Sequence, residues 1–124
     1  MIHLDTSVLV DALTGPRRSA PDLRRYIERG ERLQMSAIVL YEWLRGPRKA
    51  DELKDQELLF PRNAAVHFGA AEAALAARLY TLVARPRGRE LDLAIAAGAI
   101  VHHASLWTLN PDDFADIPDL ILAA

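Results

Sequence analysis

The chain of 124 residues contains no cysteine. That excludes disulfides, thiolate zinc sites and a cysteine nucleophile, and it fits a reducing, cytoplasmic setting. Lysine is nearly absent: only Lys49 and Lys54 occur, and every other basic residue is arginine. No uninterrupted apolar stretch is long enough to span a bilayer, so no membrane association is expected. The apolar segment over residues 1–13 is interrupted by Asp5 and Asp11. With no basic segment ahead of it, it reads as a strand and a helix, not as a signal peptide. There is no glycine-rich phosphate loop of the P-loop or Rossmann type. The formal net charge of −2 gives no bulk attraction for nucleic acid. His67, His102 and His103 lack the spacing of a zinc site, and His3 reads as a core residue of the first strand. Ser7 and Ser36 have no Ser-His-Asp context.

Hydrophobic residues make up 51%, enough for a packed core, and the length suits one domain over residues 1–124. The arginines fall into groups. One holds Arg17, Arg18, Arg24, Arg25, Arg29 and Arg32; another holds Arg85, Arg87 and Arg89, just before Asp92. Arginine suits bidentate phosphate contacts, and equally it decorates solvated helix faces.

The local patterns alternate. Residues 1–5 predict a short buried strand, and Thr6 to Leu13 a helix stopped by Gly15-Pro16. Asp22 to Arg29 predicts a helix, with Leu23, Tyr26 and Ile27 on one face and Gly30 as its C-cap. Leu33 to Met35 predicts a second strand. Ser36 caps a helix to Arg45, stopped by Gly46-Pro47. Further helices are expected over Asp51–Leu59, Gly69–Ala84 and Glu90–His103. Strands are expected at Ala65–Phe68, Ser105–Leu109 and Leu120–Leu122, with a helical turn at Asn110–Ala115. Such alternation implies an α/β fold with a parallel sheet covered on both faces. Active sites in these sheets lie beyond the carboxyl ends of the strands.

Four acids stand where such a fold would bring them together. Asp5 ends the first strand, where a helix N-cap role competes with a catalytic one. Glu42 sits among Leu40, Tyr41, Trp43 and Leu44, either in a cleft or exposed beside Arg45. Asp92 is in the first turn of an alanine-rich helix, where it complements the helix dipole or binds a cation. Asp113 follows Asn110-Pro111-Asp112, itself a helix-start pattern. Converging carboxylates repel unless a cation or proton offsets them, and carboxylate with water ligands suits Mg²⁺ or Mn²⁺.

The motifs together resemble the PIN domain family. Leu4-Asp5-Thr6-Ser7-Val8-Leu9 is similar to its opening motif, and Ser36-Ala37-Ile38-Val39-Leu40-Tyr41-Glu42 to its second. Asp92-Leu93-Ala94-Ile95-Ala96-Ala97 and Thr108-Leu109-Asn110-Pro111-Asp112-Asp113-Phe114 are similar to the third and fourth. The compact length resembles the VapC toxins of bacterial toxin–antitoxin pairs. The resemblance implies a Mg²⁺-dependent endoribonuclease in a three-layer α/β/α sandwich with a five-stranded parallel sheet. It also implies a homodimer and an antitoxin protein lying in a groove near the site. Asp5, Glu42 and Asp92 carry over as metal-coordinating, catalytic carboxylates. The fourth place falls to Asn110 or, as its substitute, Asp113. Thr6 or Ser7 would orient Asp5 or contact the phosphate. Arg87 and Arg89 would meet the RNA backbone or the antitoxin, unless their loop is simply solvated.

Two other readings compete. A catalytically silent PIN-like module that only binds RNA or protein would account for Asn110 in the fourth motif. A phosphohydrolase of another α/β family would need a second aspartate two residues after Asp5, and Ser7 stands there.

Overall fold

The computed structural model describes residues 1–123. Three short strands form a parallel sheet: β1 (Ile2–Leu4), β2 (Leu33–Gln34) and β3 (Ser105–Trp107), in the order β2-β1-β3. β1 is therefore central, with Ile2 opposite Leu33 and Ser105, and Leu4 opposite Trp107. All three residues of β1 are buried. A strand covered on both faces has no polar side to show, hence the run Ile2-His3-Leu4.

Among the described residues six helices surround the sheet: α1 (Thr6–Leu13), α2 (Ala20–Glu28), α3 (Ala37–Arg45), α4 (Ala50–Leu59), α5 (Ala70–Leu82) and α6 (Glu90–Val101). Strand residues alternate between faces. On one face Trp107 meets Tyr26 of α2, ring centroids 4.9 Å apart. On the other, His3 meets His102 at the end of α6, at 5.8 Å. α6 is buried from Leu93 to Ala99, and its alanines and Gly98 let it lie close on α5 and the sheet. Val8, Leu9, Val39, Trp43, Leu93 and Leu106 fill the centre.

The α/β class and the parallel sheet are as expected, but among the described residues the sheet has three strands and not five. The two missing strands survive as single parallel bridges, Ser36 with Val66 and Leu106 with Leu122. The first is held by Val66 N–H to the Met35 carbonyl (2.9 Å) and Ala37 N–H to the Val66 carbonyl (2.8 Å). A 3₁₀ turn at Arg62–Ala64 and the start of α5 just after Gly69 leave room for one rung. The Asn110–Ala115 turn is likewise a shorter 3₁₀ turn, Pro111–Asp113. α2 starts two residues earlier than expected, because Pro21 fits the first turn of a helix, where its missing N–H costs nothing. No helix among the described residues is long and apolar enough to cross a membrane.

Candidate active site

Asp5 lies where β1 gives way to α1. Its backbone is extended and it occupies the N-cap position, yet its side chain makes no capping bond. The carboxylate is taken up elsewhere. Ser7 Oγ donates to Asp5 Oδ2 at 2.8 Å, and Thr108 Oγ1 donates to the same oxygen at 2.7 Å. Among the described residues no hydrogen bond falls on Oδ1. Each hydroxyl is fixed in turn from the backbone: Leu109 N–H donates to Ser7 Oγ (3.1 Å) and Asn110 N–H to Thr108 Oγ1 (3.0 Å). Only 5% of Asp5 is exposed, so this network sets its direction firmly.

Glu42 reaches the same region from α3. Thr6 Oγ1 donates to its Oε1 at 2.6 Å, and Arg45 pairs with its Oε2 at 3.4 Å. The adjacent hydroxyls of the opening motif thus serve different acids: Thr6 holds Glu42 and Ser7 holds Asp5. Trp43, fully buried beside Glu42, anchors α3 so that Glu42 faces α1.

Asp92 is half-buried in the first turn of α6. Its pKa is pushed up to about 6, first by burial and then by the charges of Asp5, Asp113 and Glu42, with Arg89 opposing. The charges of Asp5, Asp113 and Glu42 are thus near enough to act on Asp92. Arg89 does not point into open solvent. It donates to both carboxylate oxygens of Asp116 (2.6 and 3.0 Å) and to the carbonyls of Asp113 (3.0 Å) and Ala84 (3.1 Å). It therefore clasps the Asp113–Asp116 turn to the start of α6, which keeps Asp113 beside Asp92. Arg87 is exposed on the loop before α6. Asn110 is exposed at the cap of the 3₁₀ turn, and its side chain makes no capping bond.

Thr108 and Asp116 were not singled out from the sequence. Thr108 stands in the fourth motif, two residues before Asn110, so its place was visible; its partner, 103 residues away, was not. Asp116 looks like any surface acid until Arg89 is seen to hold it.

The donor chemistry suits a hard divalent cation: carboxylates from Asp5, Glu42, Asp92 and Asp113, with an Asp5 oxygen open and excess negative charge to offset. Among the described residues, no three acidic or histidine side chains are grouped closely enough to hold an ion by themselves. Mg²⁺ fits such an open arrangement, since it keeps several waters and needs only one or two direct carboxylates.

Asp5 at the carboxyl end of the central strand, with acids of α3, α6 and the Pro111 turn near it, defines the class: an α/β protein with an acidic candidate site beyond the carboxyl ends of its parallel strands. The sequence pattern of the PIN domain family matches residues 2–120, and the chain belongs to that family. It is 32% identical, over 94% of both chains, to Ribonuclease VapC19 of Mycobacterium tuberculosis. Solved structures share the fold, two of them as follows. One is the DNA-bound VapBC of Salmonella typhimurium (TM-score 0.81, 20% identity, 98% of this chain and 96% of that one). The other is VapBC2 of Rickettsia felis bound to a promoter DNA fragment (TM-score 0.72, 24% identity, 99% and 98%).

Proposed function

We propose that this protein is a Mg²⁺-dependent endoribonuclease, the toxin of a toxin–antitoxin pair, acting as a homodimer and restrained by a separate antitoxin protein. The observation that carries the reading is the pair of acids oriented by hydroxyls, Asp5 by Ser7 and Thr108 and Glu42 by Thr6, beside an Asp92 whose pKa burial and then the charges of Asp5, Asp113 and Glu42 raise. Four acids crowded for structural reasons alone would be a pure cost to the fold. The relationship to Ribonuclease VapC19 supports RNA as substrate, and the likeness to VapBC assemblies supports an antitoxin partner.

Asp5, Glu42, Asp92 and Asp113 are the residues that would hold Mg²⁺, with Mn²⁺ as a substitute. When bound, the ion would activate water and offset charge at the scissile phosphate. The protein's own work is orientation. Ser7 and Thr108 fix Asp5 with one oxygen left open, and Thr6 fixes Glu42. Arg89 keeps the Asp113 turn in place.

Purified protein with Mg²⁺ or Mn²⁺ is expected to cut RNA internally, and Asp5→Asn or chelation is expected to abolish the cutting. Cleavage that survives either treatment overturns the proposal. RNA binding without cleavage by the unaltered protein would favour the silent binding module instead.

A further inference from the structure

We propose that the groove running from Thr6 and Ser7 along the outer face of α1 carries one strand of the RNA, and that Arg18 at its far end holds a backbone phosphate remote from the scissile one. This rests on the ribonuclease reading and names where that substrate lies.

The groove has a volume of about 480 Å³. Its floor is one stripe of α1, Thr6 and Val10, continued by the C-cap Thr14, with Ser7 and Asp11 beside them. Leu109 and Asn110 wall it at the catalytic end, and Gly15, Pro16 and Arg18 close the other. Two of its lining residues, Thr6 and Ser7, orient Glu42 and Asp5, so it opens directly from the acid site. The eight residues of α1 make it about 12 Å long at about 1.5 Å per residue. A strand cut at the acids must leave the site by some route, and this one is continuous with it.

The two neighbouring arginines have different fates. Arg17 is tied to Asp55 of α4 at 2.9 Å. Arg18 is exposed and, among the described residues, has no ion pair or hydrogen bond. The turn presenting it is nonetheless well held. Arg17 N–H donates to the Thr14 carbonyl and Ala20 N–H to the Arg17 carbonyl, both at 3.1 Å. Ser19, buried, donates to Asp11 Oδ2 at 2.6 Å, which binds the turn to α1. An unpaired guanidinium on a braced turn is suited to phosphate. At the other end, the uncommitted amide of Asn110 is suited to a base edge of a single strand. The acid site itself repels phosphate until a cation is present, so a cation outside that cluster has a clear use: it holds the strand in register.

The test compares the unaltered protein with Arg18→Ala and Arg18→Lys on a single-stranded RNA of about twelve nucleotides and on a dinucleotide. Arg18→Ala should raise KM for the longer RNA about tenfold with kcat nearly unchanged, and leave dinucleotide cleavage unaltered. Arg18→Lys should recover much of the loss. In binding measured with chelator present, the dependence of log affinity on log salt should fall by about 0.7, one phosphate contact on a single strand. Unchanged KM and salt dependence in Arg18→Ala would overturn the inference, as would a loss confined to kcat. A groove built for a partner peptide would give that unchanged result. Failure of the unaltered protein to cut any RNA would overturn the ribonuclease reading instead, and the binding arm would still decide the groove.

Discussion

Replacing Asp92 with asparagine should stabilise the metal-free protein. The folded state raises the Asp92 pKa from 3.8 to about 6, by burial and by the neighbouring acids. Left unscreened, that rise would make ionisation cost the fold about 3 kcal/mol. Asp92 is only half-buried, so solvent screening reduces this to about 1–2 kcal/mol. The sign follows from linkage: a carboxylate whose pKa is raised on folding favours the fold below its unfolded pKa, and that contribution is lost as pH rises through the folded one. The window is therefore 3.8 to about 6. Urea denaturation with chelator at about pH 8 should show Asp92→Asn more stable than the parent by about 1–2 kcal/mol, and the gap should close towards about pH 4. Mg²⁺ should raise the stability of the parent much more than that of the variant. Most substitutions destabilise, so a gain is a demanding outcome. A variant less stable than the parent at the higher pH, or equally stable, would refute the account of four mutually repelling acids.

Thr108→Val removes one of the two hydroxyls on Asp5 and leaves the Asn110 N–H without its acceptor. It should lower RNA cleavage about tenfold or more while costing about 1–2 kcal/mol of stability by thermal or chemical unfolding, whereas a larger loss of stability than of activity would count against an orienting role. His3 gives an opposite pH signature from Asp92. It is 1% exposed and its pKa is lowered to about 4, mainly by burial and then by His102. A base whose pKa falls on folding stabilises the fold above its unfolded pKa and loses that contribution as pH drops, here between 6.5 and about 4. His3→Leu should therefore flatten the loss of stability between about pH 7 and about pH 5 in denaturation curves, and an unchanged slope would show that His3 is not kept neutral by the core.

Much of the frame was legible from local pattern. Ser36 caps α3 by accepting from Val39 N–H at 3.2 Å, in the role its place before Ala37 predicts. Gly30 ends the second helical segment with a positive φ of 81°, a conformation glycine adopts without strain. The Pro111 turn begins where an asparagine followed by proline leads one to expect. The number of strands was less legible. Ala65–Phe68 has the composition of a strand, but the lengths of the flanking turn and helix decide how many rungs it can form.

The candidate site divides along the same line. Asp5, Glu42, Asp92 and Asp113 were each visible as acids, at a strand end, within a helix or in a first turn, where the sequence alone left a structural role open and, for Glu42 and Asp113, favoured it. Their gathering depends on how β1, α3, α6 and the Pro111 turn pack, and it shows in the shared charge felt by Asp92. Still less readable were the pairings: Thr6 with Glu42, Thr108 with Asp5, Arg89 with Asp116 and Arg17 with Asp55. The sequence by itself determined the class of fold and the positions of most helices, because capping, turn chemistry and periodicity act over a few neighbouring residues. Only the tertiary structure decided which hydroxyl serves which acid and which arginine is left free, because those partners lie far apart in the chain and no local preference records them.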